Sequence, residues 1–215
     1  MDRLDLNSEK DRLQIARRIF TYPAVPHRRR HGPQGYTSYE SYREWLRDEF
    51  SFRCVFTLIR EEWLGRKANF DIDHFEPQAS SSDLRNDYDN LLYLTHRSNL
   101  VRGRARLPNP SKVAFGDCIS VDPESGEIHT LNDTGARIAR VLKLDSPDAT
   151  AERRKWLGIL RSLAINDVEL FRKLIGYPSE LSDLSGKRVE RNSRPNGVND
   201  SAFARRNSGC LPDWY

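Results

Sequence analysis

Four polar residues in the stretch 70–103 have the types and the spacing that a hydrolytic site requires. Asp73 and His74 are adjacent at the end of a short apolar run, and Asn90 follows His74 by sixteen positions. Asn99 comes nine positions after Asn90, in a segment whose pattern predicts a helix. A carboxylate, an imidazole and two amides at these offsets are suited to metal-assisted hydrolysis.

Each of the four residues matches a task in cutting a phosphodiester bond. Asp73 and Asn99 offer hard oxygen donors, which can bind Mg²⁺ or Mn²⁺ while the cation keeps most of its water. A neutral imidazole can take a proton from water near neutral pH, so His74 is the candidate general base. Asn90 can donate and accept hydrogen bonds at once, and would hold the backbone of the loop that carries His74.

The same residues also have ordinary structural interpretations. An Asp-His pair on a surface turn is usually only solvated, and Asn90 follows other turn-forming residues, so it could simply form a turn. His96, three positions before Asn99, could approach a metal, but an exposed helical histidine is the simpler interpretation. The combination of four residue types at matching offsets is what favours a functional site.

This stretch resembles the HNH endonuclease motif, the ββα-metal finger. In that family a first strand ends at Asp-His, a loop and second strand carry an Asn, and a helix supplies the last His or Asn. The resemblance implies that Asp73 and Asn99 bind the metal, that His74 is the general base and that Asn90 fixes the loop. It covers about residues 53–103, and more loosely residues 39–144.

The resemblance implies an α+β fold, a mainly helical domain built around a ββα-metal (HNH) finger. The implied activity is Mg²⁺- or Mn²⁺-dependent endonuclease hydrolysis of phosphodiester bonds, with DNA the favoured substrate and RNA still open. Compact HNH subunits of this layout resemble nuclease partners of ATPases in bacterial antiviral defence, including the Septu type. An ATPase partner subunit is therefore a further expectation.

Two alternatives from other functional classes stay open at this point. The first is a nucleic-acid-binding module that keeps the finger as a scaffold without catalysis, because three of the family's four cysteine positions hold other residues. The second is a subunit whose main role is docking in a larger assembly, because the segment 211–215 is unusually apolar for a chain end. The sequence does not indicate the oligomeric state.

The cysteine positions of the family's structural zinc site are mostly occupied by hydroxyl residues here. They hold Cys54, Thr57, Thr95 and Ser98. Alcohol side chains stay protonated near neutral pH and are poor zinc ligands, so one thiolate cannot complete a tetrahedral site. We therefore expect no structural zinc, and we expect Thr95 and Ser98 to hydrogen-bond to each other's backbone or to cap the helix start.

The composition is that of a highly charged protein. Charged residues make up 31% of the chain, the mean hydropathy is −0.74, and no run of eighteen apolar residues occurs, so no membrane segment is expected. The first residues lack the apolar core of a signal peptide, and the three scattered cysteines indicate no disulfide framework. These features predict a cytoplasmic protein.

The net charge of +4 is modest, and the placement of arginine is more informative. Arginine suits bidentate contacts with phosphate, and four arginines follow or flank Asn99. These candidate nucleic-acid-binding residues are Arg97, Arg102, Arg104 and Arg106. No helix-turn-helix or other base-reading motif occurs, so weak sequence selectivity is expected.

Hydrophobic periodicity and capping residues predict the order of the elements. Helices are expected at residues 8–20, 38–50, 133–144 and 149–175, the last with a break at Asn166-Asp167. Short strands are expected around residues 54–56, 113–115, 119–121 and 128–131. The aromatic stripe of helix 38–50 is expected to lie in the core.

Three contiguous parts follow from this order and from composition. Residues 1–36 form an N-terminal helix and basic loop, and residues 37–176 form the HNH nuclease domain with a helical C-terminal part. Residues 177–215 form a basic, partly disordered tail.

Overall fold

The computed structural model describes residues 4–76 and 84–215. Its α-helices are α1 (Glu9–Arg18), α2 (Arg43–Glu49), α3 (His96–Arg102), α4 (Asp133–Leu142), α5 (Pro147–Asn166), α6 (Val168–Ile175) and α7 (Ala202–Asn207). Its strands are β1 (Pro33–Gln34), β2 (Phe70–His74), β3 (Leu91–Thr95), β4 (Ile119–Val121), β5 (Ile128–Thr130) and β6 (Arg191–Asn192).

The strands form three separate antiparallel pairs, β1 with β6, β2 with β3 and β4 with β5. Helices combined with small antiparallel sheets make this an α+β fold, so the predicted fold class is confirmed at that level. Within the described ranges, no helix has the length and apolar character needed to cross a membrane.

The chain divides into two compact units, each built from segments that are distant in sequence. The first unit comprises residues 1–27, 110–176 and 214, and the second comprises residues 28–109, 177–213 and 215. The sequence predicts three contiguous parts, 1–36, 37–176 and 177–215. Hydrophobic periodicity indicates where elements lie but does not indicate which distant segments pack together.

The first unit is organised around α1 and α5, which pack against each other. Ser8 caps α1 by accepting a hydrogen bond from the Asp11 amide, and Ile15 on the inner face is fully buried. The Arg12 side chain donates to the Ala164 carbonyl oxygen at 2.7 Å, which links the two helices.

A helix break in the first unit lies where the sequence predicts it. α5 ends at Asn166, and the Asp167 carboxylate accepts a hydrogen bond from the Leu170 amide at 2.9 Å. Asp167 thus satisfies a backbone donor at the start of α6. The predicted strands at 119–121 and 128–131 are confirmed as β4 and β5.

The second unit has an aromatic and aliphatic core to which α2 and the β2–β3 pair contribute. Tyr42, Trp45 and Leu46 are at most 1% exposed, so the aromatic stripe lies in the core, as expected. A 3-10 turn, Tyr39–Tyr42, precedes α2, which makes the α-helix shorter than the predicted range 38–50.

Two predicted strands are wrong. Residues 54–56 form a turn and not a strand, and the flanking residues Phe52 and Leu58 have φ angles of 56° and 60°. The Cys54 amide donates to the Ile59 carbonyl oxygen at 2.8 Å within this turn. Near residues 113–115 the structure has a 3-10 turn, Phe115–Asp117. Short apolar runs alone did not distinguish buried turns from strands.

Residues 177–213 lie in the second unit and contain β6 and α7. β6 pairs with β1, and Arg194 donates to both carboxylate oxygens of Asp89 at 2.9 and 2.7 Å. Composition predicts partial disorder for this segment. Composition does not indicate contacts with residues far away in sequence, such as the β1–β6 pair and the Arg194–Asp89 contact.

Candidate active site

The four predicted site residues are carried by β2, by α3 and by the position that precedes β3. β2 and β3 are antiparallel, with Asp73 facing Leu92 and His74 facing Leu91. α3 begins directly after β3 and packs against both strands. The structure therefore brings together the segments that carry Asp73, His74, Asn90 and Asn99.

Side chains of β2 alternate between two environments, because successive residues of a strand point to opposite faces. Phe70, Ile72 and His74 are buried, whereas Asp71 and Asp73 are only partly buried. Both carboxylates bond to side chains of α3. The strand thus presents two carboxylates to the helix.

α3 is a seven-residue helix whose two ends are determined by local sequence. Thr95 Oγ1 accepts a hydrogen bond from the Ser98 amide at 3.2 Å, which caps the first turn. Gly103 has a φ angle of 51°, and its amide donates to the Asn99 carbonyl oxygen at 3.0 Å. Asn99 and Arg102 are three residues apart and therefore lie along the same side of the helix.

The His74 ring is 7% exposed and has a defined orientation. Its Nε2 lies 2.8 Å from the Arg85 carbonyl oxygen, and its ring packs edge-on against Tyr39 with centroids 4.9 Å apart. Because a carbonyl oxygen only accepts, Nε2 carries the hydrogen, and the basic lone pair of the neutral ring is on Nδ1. Neither Arg85 nor Tyr39 was indicated by the sequence.

Asn90 is 6% exposed and binds backbone on both sides of the segment 77–83. Its Oδ1 accepts from the Glu76 amide at 2.8 Å, and its Nδ2 donates to the carbonyl oxygens of Glu76 and Leu84, at 3.1 Å each. Residues 77–83 lie outside the described residues. The amide of Asn90 therefore uses both its donor and its acceptor on the two flanks of this segment.

Asp73 is paired with Arg102, for which the sequence predicted a surface contact with nucleic acid. One Asp73 oxygen accepts from the His74 amide at 2.8 Å, and the other pairs with the Arg102 guanidinium. Arg102 is 3% exposed and also donates to the carbonyl oxygens of His74 and Phe75, at 3.0 and 2.6 Å. The structure thus places Arg102 inside the second unit, as a partner of Asp73.

Burial raises the pKa of the Asp73 carboxyl above its ordinary value, and the charge and hydrogen bond of Arg102 offset only part of this effect. The negative form of Asp73 is therefore less favoured than that of an exposed aspartate. An added divalent cation would favour the ionised form.

Asn99 is bonded to Asp71, a residue that the motif does not include. Asn99 Nδ2 donates to Asp71 Oδ2 at 2.9 Å, and His96 Nδ1 lies 2.9 Å from the same oxygen. The His96 side chain is 62% exposed, as expected of a surface histidine. Strand alternation is the signal that could have found Asp71, because it stands two positions before Asp73 and so on the same face.

The other three candidate arginines, Arg97, Arg104 and Arg106, are exposed on or after α3. Arg106 lies 3.5 Å from a Glu76 carboxylate oxygen. Their positive charges lie on the surface beside the segments of the candidate site, and this is where a phosphate backbone could be contacted.

The four positions considered for a structural zinc form a hydrogen-bonded cluster. The hydroxyls of Thr95 and Ser98 lie 2.7 Å apart, the Cys54 thiol donates to the Ser98 hydroxyl at 3.6 Å, and the Thr57 amide donates to Cys54 Sγ at 3.4 Å. Cys54 is fully buried. The predicted hydrogen bond between Thr95 and the Ser98 backbone, which caps α3, is confirmed.

The candidate metal ligands fit a hard divalent cation by donor chemistry. In the part of the chain that is described, no group of three or more His, Cys, Asp or Glu side chains could hold a metal ion. A cation that keeps most of its water needs fewer such residues, and Asp73 with Asn99 offers one carboxylate and one amide oxygen. Asn99 uses its Nδ2 for Asp71, so its Oδ1 is the end suited to a cation.

Comparison of the chain with protein-family models, with curated proteins and with solved structures found no match in any of the three.

Proposed function

We propose that this chain is a metal-dependent HNH-type endonuclease that hydrolyses phosphodiester bonds in DNA, with His74 as general base. The observation that carries the proposal is the position of Asn90, whose amide binds Glu76 and Leu84 on the two flanks of the loop after His74. An Asp-His pair on an ordinary surface turn would not need a buried amide to fix the loop that follows it.

His74 would take a proton from the attacking water through Nδ1, because its Nε2 already donates to the Arg85 carbonyl oxygen. The Arg85 contact and the Tyr39 ring restrain the imidazole, so its basic nitrogen has a defined direction. A positioned general base accelerates such a reaction by about 10²–10⁴-fold.

Asp73 and Asn99 would hold the Mg²⁺ or Mn²⁺ ion through side-chain oxygens. When bound, this cation supplies neutralisation of the charge that develops on the leaving oxygen. The chain's part is to orient the ligands, and Asp73 is oriented by the His74 amide and by Arg102.

The exposed arginines support a polyanionic substrate. Arg97, Arg104 and Arg106 are at the surface on or after α3, and arginine binds phosphate oxygens in a bidentate manner. Such contacts position a nucleic acid without reading its sequence. The substrate would therefore be recognised chiefly through its backbone.

The test is cleavage of supercoiled, linear and single-stranded DNA and of RNA by the purified chain with Mg²⁺, Mn²⁺ or EDTA. Metal-dependent nicking of supercoiled DNA is expected, and His74→Ala should reduce it by about 10²–10⁴-fold. His129→Ala, which removes an exposed histidine of β5, is the matched control and should cut as the wild type does. If His74→Ala cuts DNA as fast as the wild type does, His74 is not the general base.

A second candidate is a nucleic-acid-binding or docking subunit without catalysis. The burial of His74 favours it, because a general base must reach the water that it activates, and this ring is 7% exposed. Salt-dependent DNA binding by a chain that does not nick DNA with either metal would support this candidate against the nuclease.

A further inference from the structure

The two ends of an asparagine amide have opposite chemistry. The oxygen can bind a hard cation, whereas the NH2 group only donates hydrogen bonds. Which end faces a ligand depends on what holds the other end. In this structure Asn99 Nδ2 donates to Asp71 Oδ2 at 2.9 Å, and because an ionised carboxylate only accepts, this contact selects the NH2 end.

Asp71 is itself fixed between two elements. It lies in β2 and faces Leu94 of β3, and its Oδ2 is also 2.9 Å from Nδ1 of His96 on α3. Its side chain is 28% exposed. A carboxylate that is attached to a paired strand and contacts two side chains of the helix has little freedom to follow a rotation of the Asn99 amide.

The two candidate ligands are held in a reciprocal way. Asp73 of the strand is held by Arg102 of the helix, and Asn99 of the helix is held by Asp71 of the strand. Partners of this kind orient metal ligands, and their loss commonly reduces metal affinity or activity by about 10- to 100-fold.

We propose that Asp71 is a positioning residue that orients Asn99, so that the amide oxygen is presented to a divalent cation. The inference rests on the proposed function, since it concerns the metal site of the same nuclease. In this role Asp71 acts through Asn99, because its Oδ2 receives the Asn99 and His96 contacts.

The experiment measures Mn²⁺ binding to the full chain by titration calorimetry, together with the Mn²⁺ concentration that gives half-maximal DNA nicking. Asp71→Ala removes the acceptor and should weaken both by about tenfold or more. Asp71→Asn keeps an oxygen that can accept from Asn99 Nδ2 and should recover most of the loss. Asp133→Ala removes an exposed aspartate of α4 as the matched control.

A double-mutant cycle separates orientation from simple charge. If Asp71 acts through Asn99, Asp71→Ala adds no further loss of Mn²⁺ affinity in a chain that already carries Asn99→Ala. Additive losses, or an Asp71→Asn chain as impaired as Asp71→Ala, would show that Asp71 acts by its charge and would overturn the proposal. Thermal unfolding is recorded for every variant, and Asp71→Asn carries the test if Asp71→Ala does not fold.

The outcomes for this inference and for the proposed function are distinct. A wild type that binds Mn²⁺ and nicks DNA, with an Asp71→Ala chain that matches Asp133→Ala, overturns the role of Asp71 and leaves the nuclease standing. A wild type that neither binds Mn²⁺ nor nicks DNA overturns both. Loss of nicking in Asp71→Ala with unchanged Mn²⁺ affinity also contradicts orientation of a metal ligand.

Discussion

Arg102 brings a buried positive charge to the candidate site. Its guanidinium pairs with Asp73 and donates to the carbonyl oxygens of His74 and Phe75, so it contacts three acceptors around the end of β2. Removing one partner of a buried charge pair leaves the other charge without compensation, which costs more than the pair itself contributes. Arg102 therefore supports the backbone that carries the candidate base.

Replacement of Arg102 should destabilise the chain. Two nitrogens of the Arg102 guanidinium donate to different carbonyl oxygens, whereas lysine in Arg102→Lys has a single nitrogen. We therefore expect the free energy of unfolding to fall by about 1–3 kcal/mol. Arg102→Leu leaves the partly buried Asp73 without its cation and should cost up to about 3–5 kcal/mol. The shift of the urea unfolding midpoint measures both.

Arg104→Lys is the matched control for this series, because Arg104 is exposed, and its midpoint should not change. Equal midpoints for Arg102→Lys and Arg104→Lys would contradict the internal role of Arg102. Asp73→Asn combined with Arg102→Leu should be less destabilising than the sum of the two single changes, because the uncompensated charge is gone.

At the level of residues, type and offset in the sequence indicate Asp73, His74, Asn90 and Asn99, and their chemical roles stay predictions. It did not indicate Asp71, whose relevance depends on the helix that packs on the strand. It also did not indicate the Arg85 carbonyl oxygen, because backbone groups have no signal in residue type. The interior position of Arg102 was missed since charge alone predicts exposure.

The element on which the site depends most is the start of α3. Thr95 caps this helix through the Ser98 amide, and the Ser98 hydroxyl in turn contacts Thr95 and Cys54. These hydrogen bonds join the first turn of α3 to the turn around Cys54. The orientation of Asn99, one residue after Ser98, depends on this first turn.

Loss of the cap should therefore lower stability, whereas chelation should not. Thr95→Ala removes the acceptor of the Ser98 amide and should cost about 1–2 kcal/mol, while Thr95→Ser keeps the hydroxyl and should recover most of it. Thr130→Ala, at an exposed position of β5, is the control. Thermal unfolding of the wild type should be the same with and without EDTA, and release of zinc together with unfolding on chelation would contradict the hydrogen-bonded cluster.

Elements with local signals were predictable, and elements made by distant contacts were not. The caps at Ser8 and Asp167 determine the start of α1 and the boundary between α5 and α6 within a few residues of sequence. The β1–β6 pair joins residues more than 150 positions apart, so no local pattern indicates it. The apolar run 54–56 predicts a strand, but residue types do not indicate the positive φ angles of the flanking Phe52 and Leu58 that accompany the turn there.

At the scale of the whole molecule, the second unit includes a network of partly and fully buried charges. Arg47 of α2 lies between Glu44 and Glu61, and Tyr93 of β3 donates to Glu61 at 2.7 Å. Glu44 also accepts a hydrogen bond from the Ser182 hydroxyl at 2.6 Å. The network thus connects α2 and β3 with the segment after residue 177, which composition alone does not place in any core.

This network predicts that the second unit loses stability in acid. Burial by itself would raise the pKa of Glu44, but the Ser182 hydroxyl, Arg47 and Lys67 together lower this pKa to about 2. A carboxyl whose pKa is depressed in the folded state stabilises the fold at pH values above its ordinary pKa, 4.5 here, and this contribution is lost as the pH falls toward 2. The full shift corresponds to about 3 kcal/mol, and because solvent screens part of this interaction the expected contribution is smaller, on the order of 1–2 kcal/mol.

The midpoint of urea unfolding, measured between pH 6 and pH 2.5 or so, should fall more steeply for the wild type than for Glu44→Gln, because the amide does not titrate. Ser182→Ala should shift the wild-type curve in the same direction as Glu44→Gln, since it removes one of the hydrogen bonds that lower the pKa of Glu44. Glu127→Gln, at an exposed position, is the matched control and should keep the wild-type slope. Identical slopes for the wild type and Glu44→Gln would show that the segment around Ser182 is not held through this carboxylate.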